Sequence, residues 1–202
     1  MANSTPEALP LTDGRAARSH RTRLAIIDAL LRLLASGDLR PTTERIAAAA
    51  GVSTRSIFLH FSDVDSLFTE AVDRFSERTL YRIKAIDPQL PLAGRLEAFA
   101  HQRARLHESI SPAARAAELQ EPFSQALAQR LKAMRRRSRR AIERCFAPEL
   151  DELGFEERRE LLEALTAVAS WTHWDGLRRY QSLSRARAEK VLQRSLTSLL
   201  GR

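Results

Sequence analysis

Apolar residues recur at helical spacing along most of the chain, and no long segment alternates with the two-residue period of a β-strand. Glycine and proline are scarce, with 7 and 8 copies in 202 residues, and most of them fall between the periodic segments. The pattern therefore predicts an all-α protein of about nine helices.

Composition narrows the possible classes of protein. The chain is 44% hydrophobic and 29% charged, as globular proteins are, and its single cysteine, Cys145, cannot form an internal disulfide. The N-terminus lacks the apolar core of a signal peptide, and the most apolar helix is interrupted by Asp28 and Arg32. We therefore expect a cytoplasmic protein without a membrane partner.

The net charge of +8 suits a nucleic-acid partner, but its distribution weakens that argument. Residues 1–86 hold 12 Lys and Arg against 10 Asp and Glu, whereas residues 87–202 hold 21 against 15. Most of the excess lies in residues 87–202, so net charge does not locate a nucleic-acid surface, and function has to be argued from local motifs.

Breaker residues divide the chain into four predicted segments. Residues 1–17 are predicted to form a flexible basic arm, 18–64 a helix-turn-helix domain, 65–86 a linking helix and 87–202 a second helical domain. Within the second domain, helices are predicted at residues 92–110, 113–120, 123–146, 156–180 and 185–200.

Residues 42–61 have the spacing of a helix-turn-helix. Thr42 and Ser53 suit the N-cap positions of two short helices, and Gly51 suits the left-handed residue that ends the first of them. Ala47 is small enough for the second short helix to cross closely over the first. Two short helices joined by about three residues are typical of a DNA-binding motif.

The second short helix, residues 54–60, has two different faces. Ile57 and Phe61 lie four residues apart and form an apolar face that packs onto the preceding helices. The outer face then carries Thr54, Arg55, Ser56, Leu59 and His60. A helix presented in this way lies in the major groove with its first residues at the base edges. The alternative is an ordinary turn between two packed helices.

The segment TTERIAAAAGVSTRSIFLHFSDVDSLFTEAV resembles the DNA-binding part of the TetR/AcrR family of bacterial transcriptional repressors, over about residues 20–75. The resemblance implies a homodimer that binds a palindromic operator in double-stranded DNA and is released by a small-molecule effector. It also implies that residues 87–202 bind the effector and form the dimer. The positions that carry it are Thr42, Ala47, Gly51, Val52, Ser53, Phe61, Leu67 and Phe68.

Two positions depart from the family pattern. Phe58 stands where the family often has a tyrosine that contacts a phosphate, and Val64 stands where it often has a lysine. Arg55 is a candidate replacement, because arginine contacts phosphates and reads guanine through two hydrogen bonds; the alternative is a solvated helix charge. His60 either donates to a phosphate or is a polar residue that closes the helix at residues 54–60.

Further candidates lie outside the helix at residues 54–60. Thr42 and Thr43 begin the first of the two short helices, where hydroxyl and backbone N–H groups suit a phosphate. Arg15 and Arg18 either enter a minor groove or belong to a soluble tail. The candidate DNA-binding residues are therefore Thr42, Thr43, Ser53, Thr54, Arg55, Ser56, Phe58, Leu59, His60, Arg15 and Arg18.

The second domain contains candidates for effector binding and for dimerisation. The effector candidates either line an apolar pocket or anchor the core, and they are Phe99, Arg103, Leu106, Ile110, Met134, Phe146, Trp171, Trp174 and Asp175. The dimer candidates form apolar faces on the last helices, which either meet a second copy or pack the subunit's own core. They are Leu161, Leu165, Val168, Leu192, Leu196 and Leu199.

Enzymatic motifs do not occur in the sequence. The five histidines have no spacing that would build a metal site with Cys145 or with carboxylates. There is also no phosphate-binding glycine loop and no nucleophile motif, so we predict neither an enzyme nor a cofactor or metal. Three functions stay open: the effector-released repressor, a DNA-binding regulator without an effector, and a helical protein-interaction module whose helix-turn-helix is structural only.

Overall fold

The computed structural model describes residues 12–80 and 83–201, and this part of the chain is helical without a β-strand. It also contains a 3₁₀ turn at Glu121–Phe123 and a π-helical turn at Gly176–Tyr180. The predicted all-α fold is confirmed. The helices are α1 Thr12–Ala35, α2 Thr43–Ala50, α3 Thr54–His60, α4 Val64–Leu80, α5 Leu92–Gln120, α6 Gln125–Cys145, α7 Ala147–Asp151, α8 Phe155–Val168, α9 Trp171–Asp175 and α10 Arg185–Leu200.

The chain divides into two compact units, Met1–Ala71 and Val72–Arg202, and the division falls inside α4. The first unit is built around α1, which packs against α2 and α3. Its core consists of apolar side chains from all four helices, namely Ile26, Ile27, Ala29, Leu30, Leu34, Ile46, Ala47, Ile57, Phe61, Leu67, Phe68 and Ala71.

Helix α1 begins earlier than the sequence predicts. It starts at Thr12 rather than near Ser19, so the predicted flexible arm is wrong for residues 12–17, while residues 1–11 lie outside the described part. The only breaker between residues 14 and 17 is Gly14, which costs a helix about 1 kcal/mol relative to alanine. The good helix formers that follow it outweigh this cost.

Helix α4 ends earlier than the sequence predicts. It ends at Leu80 instead of residue 86, and residues 83–87 are not helical. Ile86 packs on the core of the second unit, and the carbonyl of Lys84 accepts a hydrogen bond of 2.7 Å from Gln102 Nε2. Tertiary contacts therefore take the place of helical ones in this segment.

Helix α5 runs through Pro112, although a proline at this position of the sequence predicts a break between two helices. The predicted pair of helices at 92–110 and 113–120 is wrong, because one helix spans Leu92–Gln120 with Pro112 inside it. A proline removes one helical hydrogen bond and costs about 3 kcal/mol. Burial of α5 on both sides of the proline, for example at Ala104 and Ala116, offsets this cost.

The predicted helix 156–180 is also wrong, because the chain forms α8, α9 and the π-helical turn there. Ser170 causes the break: its backbone is extended, with φ −72° and ψ 156°, and its side chain accepts a hydrogen bond of 3.1 Å from the His173 N–H. Serine favours this N-cap role over a helix interior.

The core of the second unit lies between α5, α6, α8 and α10. Phe99 and Phe146 meet edge to face inside it, with ring centroids 5.3 Å apart. Trp174 of α9 completes the core and is 1% exposed. None of the helices in the described ranges is long and apolar enough to cross a membrane.

The turn between α2 and α3 forms as its spacing predicts. Gly51 ends α2 in the left-handed region, with φ 68° and ψ 33°, and the Val52 N–H donates to the Ala47 carbonyl at 3.0 Å. A Cβ at Gly51 would meet no atom within 4 Å. Only the backbone conformation therefore requires glycine here.

Gly51→Ala should consequently lower the free energy of unfolding by about 1–2 kcal/mol, the cost of a left-handed conformation for an L-residue. Gly94→Ala is the matched control, since Gly94 is an exposed glycine inside α5 and a Cβ there also meets no atom within 4 Å. It should raise stability by about 0.5–1 kcal/mol. Chemical denaturation of both variants measures the two changes in the free energy of unfolding. Changes of the same sign in both variants would contradict this explanation.

Candidate nucleic-acid interface

Helix α3 separates a buried face from an exposed face. Ile57 is 1% exposed and faces the core, whereas Phe58 and Leu59 are 56% and 73% exposed. Arg55 is exposed as well, and Thr54, Ser56 and His60 are half-buried. The predicted division of this helix into an inner and an outer face is confirmed for Ile57 and for the exposed residues.

The serines of α3 bond to each other and to the helix. Ser53 is the N-cap, and its hydroxyl accepts a hydrogen bond of 3.2 Å from the Ser56 N–H. The two hydroxyl oxygens of Ser53 and Ser56 lie 3.1 Å apart and share a hydrogen bond. The N-cap role predicted for Ser53 is confirmed, and both hydroxyls stay at the N-terminal end of the exposed helix.

The N-terminus of α2 holds a carboxylate of its own. Thr42 caps the helix by accepting from the Arg45 N–H at 3.4 Å, as predicted, and Thr43 is its half-buried first residue. The backbone N–H of Glu44 and the Thr42 hydroxyl hold the pKa of the Glu44 carboxyl below its ordinary value. The Glu44 carboxylate therefore uses groups that a phosphate at Thr42 and Thr43 would need.

Arg23 fixes α3 to the rest of the first unit. Its Nε donates to Glu70 Oε1 at 2.9 Å, its Nη2 forms an ion pair with Glu70, and its Nη1 donates to the His60 carbonyl. The guanidinium also lies 4.3 Å from the centre of the Phe61 ring. This role of Arg23 cannot be read from the sequence, because Glu70 is 47 residues away and no local pattern marks it.

The two basic residues predicted for the arm lie on a helix instead. Arg15 and Arg18 are exposed on the first turns of α1. The Arg18 carbonyl accepts a hydrogen bond of 3.1 Å from the Thr22 hydroxyl, which belongs to the same helix. The prediction of a flexible arm is therefore wrong for these two residues, whereas their contact with a minor groove stays a prediction, and both are exposed.

Most of the effector candidates are buried in the packed core of the second unit. Trp171 donates from Nε1 to Ser111 Oγ at 3.0 Å, and Trp174 donates to Glu108 at the same distance. Asp175 pairs with Arg115 at 2.6 Å. The buried or half-buried members without such partners are Phe99, Phe146, Leu106 and Ile110.

At least two cavities are lined by described residues of the second unit. The larger has a volume of about 500 Å³ and contains one effector candidate, Met134, whose Sδ lies 3.4 Å from Ser76 Oγ. It is lined by Asp73, Ser76, Glu77, Arg130, Ala133, Met134 and Arg137. The smaller, of about 290 Å³, is lined by Leu92, Glu149, Glu152, Leu153, Leu161, Leu200 and Gly201.

The dimer candidates fall into two groups. Leu165, Leu192 and Leu196 are at most 1% exposed within one subunit, so the prediction that their side chains meet a second copy is wrong. They pack α8 and α10 onto the subunit's own core. The other three are partly exposed and remain available: Leu161, Val168 and Leu199.

Comparison with known proteins supports the same interpretation of the first unit. Residues 26–71 match the family model of bacterial regulatory proteins, tetR family. No curated protein matches the chain at a significant level. No group of three or more His, Cys, Asp or Glu residues suited to a metal ion occurs in the part of the chain that the structure describes.

Solved structures resemble the chain over most of its length. A transcriptional regulator from Rhodococcus sp. Rha1 is 20% identical, with a TM-score of 0.67 over 91% of this chain and 96% of that one. A protein described as a TetR-family transcriptional regulator from Mesorhizobium loti MAFF303099 is 19% identical, with a TM-score of 0.61 over 91% and 97% of the two chains. At these identities the likeness concerns the fold.

Proposed function

We propose that this chain, whose residues 26–71 match the family model of tetR-family bacterial regulatory proteins, is a transcriptional repressor of that family. It binds a palindromic operator as a homodimer and leaves the DNA when a small-molecule effector binds. The observation that carries the proposal is the construction of α3. Its inner residue Ile57 is buried, its N-terminus is capped by Ser53, and its outer face presents Arg55 to solvent. A helix of this kind suits the major groove.

Homodimer formation supports specificity, because two half-sites bind more selectively than one. We expect the interface to use the partly exposed Leu161, Val168 and Leu199, since the buried leucines of α8 and α10 are occupied by the subunit's own core. Sedimentation velocity at micromolar concentration tests this point, and a monomer at that concentration would contradict it.

Fluorescence anisotropy with a DNA fragment from upstream of the protein's own gene tests DNA binding. We expect saturable binding that weakens steeply from low to physiological salt, because cationic side chains release counterions from the phosphates. A scrambled fragment of equal length should bind far more weakly. An absence of salt-dependent binding to both fragments would favour the protein-interaction module instead.

A regulator without an effector is the second candidate. The packed core of the second unit favours it, because Phe99, Phe146 and Trp174 are all at most 2% exposed. The effector-released form is supported by Arg103, a buried cation of the second unit that has no carboxylate partner among the described residues. Since α4 is continuous across the division between the units, we expect it to transmit effector binding to the first unit.

Phe58→Tyr should tighten operator binding about fivefold. Phe58 is exposed on the outer face of α3, and a hydroxyl there would add one phosphate hydrogen bond in each subunit of the homodimer, with a net contribution of about 0.5 kcal/mol each and about 1 kcal/mol in total. Phe155→Tyr adds the same hydroxyl to a phenylalanine that is 79% exposed in the second unit, and it should leave the affinity unchanged. Equal affinities of Phe58→Tyr and the wild type would place residue 58 away from the phosphates.

A further inference from the structure

Helix α5 carries a line of polar side chains inside the second unit. The members are spaced four residues apart, which places them on one ridge of the helix. They are Arg95, Arg103, His107, Ser111 and Arg115, with Phe99 between the first two. All are buried except Arg115, which is half-buried. The four-residue spacing can be read from the sequence, but only the structure shows that these side chains are buried. Burial is significant here because charged side chains are rarely buried without a partner.

The arginines near this ridge pair with carboxylates, with one exception. Arg95 pairs with Glu149 at 2.5 Å, and Arg115 pairs with Asp175 at 2.6 Å. From the π-helical turn, Arg178 reaches Glu108 of α5 at 2.6 Å. Arg103 is the exception, because no described carboxylate lies within ion-pair distance of it.

Arg103 is a buried cation with unused hydrogen-bonding capacity. It is 5% exposed, its Nη1 donates to Ser138 Oγ at 3.0 Å, and its guanidinium lies 4.7 Å from the centre of the Phe99 ring. Its buried Nε has no hydrogen-bond partner among the described residues. Burial lowers the pKa of Arg103 to about 10, so the group is still charged at neutral pH. An uncompensated charge in this environment is strongly unfavourable.

His107 lies one turn further along the ridge and has an unused acceptor. Its Nε2 lies 3.1 Å from the Ala169 carbonyl, which only accepts, so Nε2 carries the proton. Burial, with a contribution from Arg103, lowers the pKa of His107 to about 4. The ring is therefore neutral at pH 7, and its buried Nδ1, which has no partner among the described residues, carries a lone pair.

We infer that Arg103 and His107 form the recognition site for a small organic carboxylate, which is the effector class of the regulator proposed above. The carboxylate accepts from Arg103 Nε and supplies the counter-charge that the described residues lack. His107 Nδ1 accepts from a hydroxyl of the same molecule. Phe99 lies against the Arg103 guanidinium and Trp174 against the His107 ring, which suits an aromatic or otherwise apolar body. Neither Arg103 nor His107 lines the two cavities described above, so the ligand enters as these core side chains move apart.

The single cation distinguishes a carboxylate from a phosphate at this site. A phosphate dianion brings two negative charges, and Arg103 would neutralise only one of them in a buried environment. His107 is neutral and contributes no second positive charge. A monoanion with an apolar body therefore fits this part of α5 better.

Tryptophan fluorescence offers a direct measurement, because the chain has only two tryptophans and both contact α5, through Ser111 and Glu108. We expect benzoate to change the emission of the wild-type protein saturably, whereas benzamide, which has nearly the same shape and no charge, should not. Among the three hydroxybenzoates, at least one should bind more tightly than benzoate, and His107→Ala should abolish that gain.

Arg103→Met should weaken benzoate binding about tenfold or more, since it removes a charge-assisted hydrogen bond. Its thermal midpoint should not fall, because methionine replaces a buried cation that has no carboxylate. Arg105→Met is the control, as Arg105 is exposed on the same helix, and it should bind benzoate like the wild type. If Arg103→Met does not fold, the difference between benzoate and benzamide on the wild type still decides the question.

Three outcomes would overturn the inference: no carboxylate binds, benzamide binds as tightly as benzoate, or inorganic phosphate binds while benzoate does not. Operator binding by the same preparation separates this test from the test of the proposed function. Operator binding without carboxylate binding would contradict the carboxylate site but not the proposed function as a regulator. Carboxylate binding without operator binding would contradict the proposed function but not the carboxylate site. Benzoate that binds and weakens operator binding supports both.

Discussion

Replacing Glu149 by glutamine is expected to lower the free energy of unfolding by about 3 kcal/mol. Arg95 is 3% exposed, and its two terminal nitrogens donate to the two oxygens of Glu149 at 2.7 and 2.5 Å. The substitution leaves the arginine charge buried without a counter-charge. Arg95 keeps its hydrogen bonds to the carbonyls of Leu90 and Cys145, so the loss should stay near the lower end of the range for broken buried pairs.

The same ion pair gives stability a defined pH dependence. Its hydrogen bond from Arg95 holds the pKa of Glu149 below the ordinary value of 4.5. A carboxylate with a lowered pKa in the folded state contributes stability above its unfolded pKa and loses that contribution as the pH falls through the folded value. The difference between wild type and Glu149→Gln should therefore be constant near neutrality and shrink below pH 4.5.

Urea denaturation at several pH values measures both effects. Glu152→Gln makes the same chemical change at an exposed residue and should change stability by less than about 0.5 kcal/mol. The double variant Arg95→Met/Glu149→Leu should be more stable than Glu149→Gln, because it removes the unpaired charge together with its partner. A double variant that is less stable than the single one would show that Arg95 stabilises the fold chiefly through packing.

Arg55→Ala is expected to weaken operator binding about 30-fold, or about 2 kcal/mol, because the homodimer loses two base contacts of about 1 kcal/mol each. Arg55 is exposed on the outer face of α3, in the turn that reaches the base edges in a helix-turn-helix. The family often has a tyrosine at the position of Phe58 and a lysine at that of Val64, so fewer other groups are available to contact the DNA. The dimer should be unaffected.

Arg136→Ala is the matched control, because it removes one exposed arginine from α6 and changes the net charge equally. It should change the affinity much less. Titration against operator variants then separates two roles of Arg55. If Arg55 reads a base, its loss relaxes specificity at one position of each half-site, whereas the loss of a phosphate contact weakens binding to all sequences equally and lowers the salt slope by about two, one for each subunit. Unchanged affinity of Arg55→Ala would exclude both.

The helix-turn-helix could be predicted almost completely from the sequence, because its determinants are short-range. Thr42 and Ser53 cap helices by bonding to backbone groups three residues ahead, and Gly51 provides a left-handed residue that other side chains disfavour. Ile57 and Phe61 follow the period of a helix. Each of these features depends on neighbours within about four residues, so the sequence contains all the information that they need.

The second unit was predicted less well, because its decisive contacts are long-range. Pro112 and Ser170 are both plausible helix breaks in the sequence, yet the helix continues through the proline and stops before the serine. Burial on both sides outweighs the lost hydrogen bond at Pro112, and a local pattern cannot report burial. The leucine stripes of α8 and α10 likewise do not reveal whether they face the subunit's own core or a partner.

The sequence by itself determined the class of fold, the capped turn before α3 and the two faces of that helix, since these follow from residues close together in the chain. Only the tertiary structure decided which charges are paired. It joins Arg23 to Glu70 across 47 residues and Arg95 to Glu149 across 54, and it leaves Arg103 buried without a carboxylate partner from residues 12–80 and 83–201. The physical reason is that desolvation and pairing depend on which helices pack together, and an arginine in a sequence looks the same in all three cases.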